Sequence, residues 1–140
     1  MPDASVKAMF EWTADYEVGV RQIDGEHRRL FALAETLYQA MTAGKGKAVL
    51  QDHLAALLDY TCYHFKHEEQ LMERIAYPGY RQHRQDHENL RSTVRAMADR
   101  SASGETTMTI EVMLFLMEWL KRHIAGSDRL IGDRMKTEPT

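Results

Sequence analysis

The chain has 140 residues, 44% of them hydrophobic and 28% charged, which is typical of one soluble globular domain and argues against a disordered chain. Its net charge of −3 and its scattered basic residues argue against a nucleic-acid partner or a polybasic membrane surface.

Targeting features are also missing from the sequence. The first residues lack a basic start followed by an apolar core, and the most apolar stretch, residues 110–120, is too short and too charged to cross a bilayer. The single cysteine, Cys62, cannot form an internal disulfide, which fits a reducing compartment. We therefore expect a cytoplasmic protein without membrane insertion.

The first predicted element is an N-terminal arm over residues 1–21, because helical periodicity begins only near Ile23 or slightly before it. Asp24 is then a favourable negative group near the positive end of the first helix. From His27 to Met41, apolar residues recur at steps of three and four, as on one face of a helix. Two glycines, Gly44 and Gly46, end this helix.

The second helix shows the clearest pattern, an apolar stripe from Leu50 to Ile75. The sequence Tyr77-Pro78-Gly79 ends it, because proline cannot continue a helix and glycine favours a turn. A third helix begins near Tyr80. A polar loop over residues 101–107 separates it from a fourth helix, whose apolar face runs from Met113 to Ile131.

Four amphipathic helices with short connections predict an all-α fold, an antiparallel up-down-up-down four-helix bundle. We expect a single domain, with the arm at 1–21, the bundle at 22–132 and a tail at 133–140.

Ionisable residues interrupt these apolar faces. Burying so many of them without partners would cost several kcal/mol each, and a metal centre is the simplest arrangement that satisfies them together. They are His27, His64, Glu68, His83, His87, His123 and Asp128.

Two of the spacings are those of metal ligands on a helix. A step of four residues turns about 40° and rises about 6 Å. His83 and His87 can therefore place two imidazoles on one metal ion. In the same way, His64 and Glu68 can bring a nitrogen and a carboxylate to one cluster, where the carboxylate can bridge two ions.

Asp128 fits a regular helix less well. It lies five residues after His123, and that step turns about 140°, so the two side chains would not share a face. If both are ligands, the helix must be distorted between them. We predict a π-type bulge or a loosened turn near Gly126, a feature often found at functional sites.

Four short runs carry the most specific signal, in order along nearly the whole chain. They are Val18-Gly19-Val20 with Ile23-Asp24-Gly25-Glu26-His27, then His64-Phe65-Lys66-His67-Glu68-Glu69, then His83 with His87, then Trp119-Leu120-Lys121-Arg122-His123 with Asp128. Together they resemble the signature of the hemerythrin family, and no ligand position of that pattern is missing.

The resemblance implies a non-haem centre of two iron ions bridged by an oxo or hydroxo group. Three histidines would hold one iron, two would hold the other, and two carboxylates would bridge the pair. In that order the residues are His83, His87 and His123, then His27 and His64, then Glu68 and Asp128. Imidazole and carboxylate ligands suit iron.

The iron with two histidines would keep an open coordination position, where dioxygen would bind reversibly. We expect an oxygen-binding protein rather than an enzyme, used for oxygen storage, transport or delivery to an oxygen-consuming enzyme, and we expect a monomer. An apolar pocket would slow proton access and hence oxidation of the iron pair. The candidate wall residues are Leu30, Phe65, Trp119, Leu120 and Ile124.

Other functions remain open at this point. Ferritin-like oxidases use Glu-x-x-His pairs, and no glutamate here has a histidine three residues later. Zinc favours closed four-coordinate sites, for which seven ligands are too many. Oxygen or nitric oxide sensing, and oxidase or peroxide-type activity at the same irons, are the alternatives.

Three further residues fall outside the ligand pattern. His53 and His67 are expected at the surface, with support of a metal ligand as the alternative for His67. Cys62 lies two residues from His64, so it should point away from the metal face and serve as a packing residue.

In the family the arm covers the end of the bundle, which implies the same position for Trp12 and Tyr16.

Overall fold

A computed structural model of the protein describes residues 9–102 and 106–137. A short 3₁₀ helix, Ala14–Tyr16, precedes the helices of the domain. These are α1 (Arg21–Thr42), α2 (Lys47–Arg74), α3 (Tyr80–Ala102) and α4 (Thr106–His123), followed by a π-helical turn, Ile124–Asp128, and a final helix α5 (Arg129–Thr137). The predicted all-α fold is confirmed, and no strand occurs in the described residues.

The four long helices form the predicted antiparallel bundle. Helix α1 packs against α2, α2 against α3, α3 against α4, and α4 returns to α1. The connections over residues 43–46 and 75–79 are too short for a crossover, so consecutive helices run in opposite directions. None of the described helices is long and apolar enough to cross a membrane.

The apolar stripes point into the bundle as the periodicity predicts. On α2 the buried residues recur at steps of three and four and include the polar positions of the stripe. They are Leu50, Leu54, Leu57, Thr61, His64, Phe65, Glu68, Leu71 and Met72. The same helix faces that form the core therefore also carry the ionisable residues.

Two predicted boundaries are wrong. The expected tail is helical as far as Thr137, because Ile131 and Met135, one turn apart, extend the apolar face of α5 onto the core. The expected loop over 101–107 is shorter, since α3 continues to Ala102 and α4 begins at Thr106. Polar composition indicated a loop at positions that helix termini also tolerate.

The arm is fixed to the bundle through its backbone. The carboxylate of Asp24 accepts hydrogen bonds from the backbone N–H groups of Val18, at 2.8 Å, and Gly19, at 3.1 Å. On the other side, Gly132 of α5 lies directly against the carbonyl group of Val18, so that a Cβ atom at this position would overlap it. The beginning and the end of the described chain therefore pack against each other.

This contact predicts a large effect of a small substitution. Gly132→Ala should destabilise the fold by about 3 kcal/mol, because overpacking against backbone forces the arm and α5 apart. Gly25→Ala is the matched control, since no atom lies near a Cβ atom there and a helical alanine should stabilise by about 0.5–1 kcal/mol. Urea unfolding measures both. An unchanged midpoint for Gly132→Ala would contradict the packing.

Candidate metal centre

The structure brings together all seven residues that the sequence predicts as metal ligands. Helix α1 supplies one, α2 two, α3 two, and α4 with its π-helical turn two. All are buried, none with more than 7% of its surface exposed. They form a three-histidine group, His83, His87 and His123, and a two-histidine group, His27 and His64, with Glu68 and Asp128 close to both.

The three-histidine group has the spacing of ligands around one ion. The Nε2 atom of His123 lies 3.0 Å from Nε2 of His83 and 3.2 Å from Nε2 of His87. Nitrogen ligands about 2.1 Å from a metal ion and at right angles to each other are about 3.0 Å apart. The imidazoles are thus aimed at one common point.

Glu68 lies between the two groups, with one oxygen facing each. Its Oε1 atom is 2.6 Å from Nε2 of His83 and 3.1 Å from Nε2 of His87. Its Oε2 atom is 3.0 Å from Nε2 of His64. A carboxylate placed in this way can bridge two ions.

Asp128 repeats this arrangement from the other end of the cluster. Its Oδ1 atom is 2.9 Å from Nε2 of His83 and 3.1 Å from Nε2 of His123. Its Oδ2 atom is 3.1 Å from Nε2 of His27. Both carboxylates therefore face both groups of histidines.

The π-helical turn explains why Asp128 faces the cluster together with His123. A π-helix pairs residues five apart instead of four, and this turn covers Ile124–Asp128. Five residues then complete about one turn, so Asp128 lies on the same face as His123. The distortion predicted around Gly126 is confirmed.

Several buried atoms of the cluster have no hydrogen-bond partner in favourable geometry. They are both ring nitrogens of His27, Oε2 of Glu68 and Oδ1 of Asp128. An unsatisfied buried polar atom costs about 1–3 kcal/mol. Metal ions at the two groups would satisfy Nε2 of His27 and both carboxylate oxygens, so the donor set fits a metal centre.

The cluster carries opposite charges when no metal is bound. Burial by itself lowers the pKa of His83 and His123, but the Asp128 and Glu68 carboxylates outweigh it and raise the pKa to about 9 and about 10, respectively. Burial favours the neutral form of Glu68, yet hydrogen bonds from the histidines hold its pKa well below the usual range. The metal-free core is therefore a network of imidazolium and carboxylate groups.

Glu26 supports His64 from outside the cluster. Its Oε1 atom accepts a hydrogen bond from Nδ1 of His64 at 2.7 Å, and its Oε2 atom accepts bonds from Nδ1 of His67 at 2.5 Å and from Gln22 at 3.3 Å. Burial alone lowers the pKa of His64, but hydrogen bonds to Glu26 and Glu68 raise it to about 9.

Glu69 supports His87 in the same way. Its Oε2 atom accepts a hydrogen bond from Nδ1 of His87 at 2.8 Å. The charge of Glu69 is balanced by Arg91, with nitrogen and oxygen 3.7 Å apart, and by Arg84 at 4.0 Å.

Comparison with known proteins agrees with this geometry. The family model described as "Hemerythrin HHE cation binding domain" matches residues 18–134. The chain belongs to the hemerythrin family. It is 33% identical over 129 residues to a bacteriohemerythrin of Stenotrophomonas maltophilia, which covers 92% of this chain and 83% of the relative.

Further relatives support the same assignment. A bacteriohemerythrin of Methylococcus capsulatus is 28% identical, over 89% of this chain and 95% of its own. The crystal structure of a wild-type hemerythrin superposes with a TM-score of 0.79 at 29% identity, covering 88% of this chain and 95% of that one. Hemerythrin family membership and fold thus rest on both sequence and structure.

The residues proposed for an oxygen pocket lie in two environments. Phe65 stacks on His87, with ring centroids 3.8 Å apart, and Trp119 stacks on His123 at 4.3 Å. Both therefore flank the three-histidine group. The other three, Leu30, Leu120 and Ile124, are fully buried in the core.

On the side of His27, the aromatic neighbour comes from the arm. The ring centroid of Trp12 is 6.3 Å from that of His27 and 5.2 Å from that of Phe31. Tyr16 also packs on Phe31, at 5.3 Å. The arm thus covers the bundle next to the two-histidine group. Trp12 was not among the residues predicted for the pocket wall.

Sequence reasoning missed the roles of Glu26 and Glu69, and it was wrong about the packing of Cys62. Both glutamates are adjacent to ligands in sequence, but adjacent helical residues point about 100° apart, so spacing gave no reason to select them. Cys62 is exposed, so it points away from the metal face as predicted but is not a packing residue. His67 supports the cluster through Glu26, the alternative left open for it, while His53 is partly exposed.

Metal binding to this cluster should release protons. At pH 7 the raised pKa values keep His64, His83 and His123 protonated in the metal-free protein, and an imidazole must lose a proton to bind a metal ion. We expect at least three protons per chain, with one more if a water molecule binds as a bridging hydroxide, when metal-free protein is loaded with ferrous iron at pH 7. Anaerobic calorimetry in buffers of different ionisation enthalpy measures this number, and a value near zero would contradict it.

Proposed function

We propose that this protein binds dioxygen reversibly at two iron ions held by the seven clustered residues. The observation that supports this most directly is the unequal pair of histidine groups on either side of Glu68 and Asp128. With the same two carboxylates shared by both groups, the two-histidine group offers one protein ligand fewer. That difference leaves a coordination position for an external molecule.

The donor set favours iron over zinc. Five imidazoles and two carboxylates suit a pair of iron ions, whereas structural zinc takes four ligands in a closed tetrahedron. When bound, the iron pair supplies the electrons that dioxygen takes up on binding and returns on release.

The protein's own residues have the task of keeping this exchange reversible. The His27 and His64 side chains are no more than 1% exposed, so the two-histidine group is shielded from bulk water. We assign the pocket wall to Leu30, Leu120 and Ile124, with Phe65 and Trp119 holding the rings of the three-histidine group in place. Exclusion of water slows proton access and protects the reduced iron pair.

The proposed biological use is storage, transport or delivery of dioxygen to an oxygen-consuming enzyme. The protein would act in the cytoplasm as a monomer, without a nucleic-acid partner and without catalysing a reaction of its own. The names of the related bacteriohemerythrins support the choice of an oxygen-binding role over an enzymatic one.

The central experiment is metal analysis combined with cycles of oxygen and argon. We expect two iron ions per chain, and a visible absorption band that appears with oxygen and disappears under argon over repeated cycles. Irreversible colour change with turnover would indicate an oxidase instead. A colourless protein that retains zinc would contradict the proposal.

A second prediction concerns Leu120, one turn before His123 and only 1% exposed. Leu120→Ser should accelerate oxidation of the oxygen-bound protein to the ferric form several-fold, because a small polar residue admits water to the site. Leu116→Ser is the matched control, since Leu116 is equally buried one turn further from the ligands.

Stopped-flow or scanning absorbance follows the decay of the oxygen-bound band in both variants. Equal rates for Leu120→Ser and the unmodified protein would remove Leu120 from the pocket wall. Equal acceleration in both variants would assign the effect to general loosening of the core.

A further inference from the structure

Two of the five candidate histidine ligands donate a hydrogen bond from Nδ1, the ring nitrogen away from the cluster, to a carboxylate. In the three-histidine group Glu69 binds Nδ1 of His87, and in the two-histidine group Glu26 binds Nδ1 of His64. Each group therefore has one such carboxylate, although the glutamates come from different helices, α1 and α2.

Glu26 should matter more for metal binding than Glu69, because the two-histidine group has fewer ligands. The Nδ1 atom of His27 is buried without a hydrogen-bond partner. Within the described residues, Glu26 is thus the side-chain carboxylate that restrains a ring of the two-histidine group from outside. Any loosening of His64 would leave His27 as the one histidine ligand still in place.

The two glutamates also differ in how they are held. Glu69 lies near the positive charges of Arg84 and Arg91, and Arg91 also pairs with Glu88. Glu26 is held by His67 and Gln22, the former at 2.5 Å and the latter at 3.3 Å. A carboxylate without an arginine partner interacts more strongly with the imidazole that it contacts, because no arginine charge offsets its own.

We propose that Glu26 and Glu69 are positioning residues, one for each metal ion, and that Glu26 sets the affinity of the two-histidine group. This inference rests on the proposed two-iron function: Glu26 acts on one iron site and Glu69 on the other. A hydrogen bond at Nδ1 fixes the tautomer whose Nε2 lone pair faces the metal, prevents rotation of the ring and makes the imidazole a better donor.

Loss of such an outer partner costs roughly 10–100-fold in metal affinity. We expect Glu26→Ala to fall near the upper end of this range and to weaken one of two ferrous sites. Glu69→Ala should fall near the lower end and weaken the other site, because His83 and His123 remain to hold that ion. Glu26→Gln, which keeps an oxygen acceptor without the charge, should lie between Glu26→Ala and the unmodified protein.

The experiment is an anaerobic titration of each metal-free full chain with ferrous iron in competition with a chromophoric chelator. The double variant Glu26→Ala, Glu69→Ala identifies which site each residue serves. If the two glutamates act on different ions, the double variant weakens both sites. If both act on the same ion, one site keeps its original affinity and the proposal is wrong.

Thermal unfolding of the metal-free variants separates positioning from general damage. Alanine is well tolerated in helices, so we expect folded variants with selective loss at one site. Glu111→Ala, an exposed charge on α4 about 18 Å along the helix from His123, should leave both sites unchanged.

Two outcomes would overturn the inference. One is a Glu26→Ala protein that binds both irons with unchanged affinity. The other is equal weakening of both sites together with a lower unfolding temperature, which would show a structural role only. An unmodified chain that binds fewer than two irons would instead overturn the proposed function itself.

Discussion

The rest of the structure depends on the two carboxylates at the centre of the bundle. Glu68 and Asp128 face imidazoles from all four long helices, so they connect the helices at one point inside the apolar core. Buried charges of this kind stabilise a fold only when all of them are paired. Each helix must therefore hold its rotation and height to well within one residue, and the close-packed core around the site provides that restraint.

The supporting contacts form layers around this centre. Glu26 and Glu69 hold ligand rings, and they are in turn held by a histidine and an amide on one side and by arginines on the other. Close to Asp128 in sequence, Gly132 of α5 packs against Val18 of the arm. The polar interior is thus surrounded by groups that are themselves fixed, which limits how far any ligand can move.

Much of the fold and most of the ligand set could be predicted from the sequence. His83 with His87, and His64 with Glu68, follow from four-residue spacing on one helix face. Asp128 needed the family pattern, because a regular helix would turn it away, and the π-helical turn confirms how it returns. Glu26 could not be predicted in this way. Its contact with His64 crosses between helices, and spacing along one helix does not determine how two helices are rotated against each other.

One consequence of the arm–α5 contact concerns biosynthesis. The candidate ligands begin at His27 and end at Asp128, and the segment that covers them is fastened by residues as late as Gly132. A nascent chain can form α1 and α2 early, since domains fold as synthesis proceeds, but Asp128, one of the two carboxylates that face both histidine groups, is added only after all four long helices. The full set of candidate metal ligands is therefore assembled late in synthesis, and a chain without bound metal has an electrically charged interior.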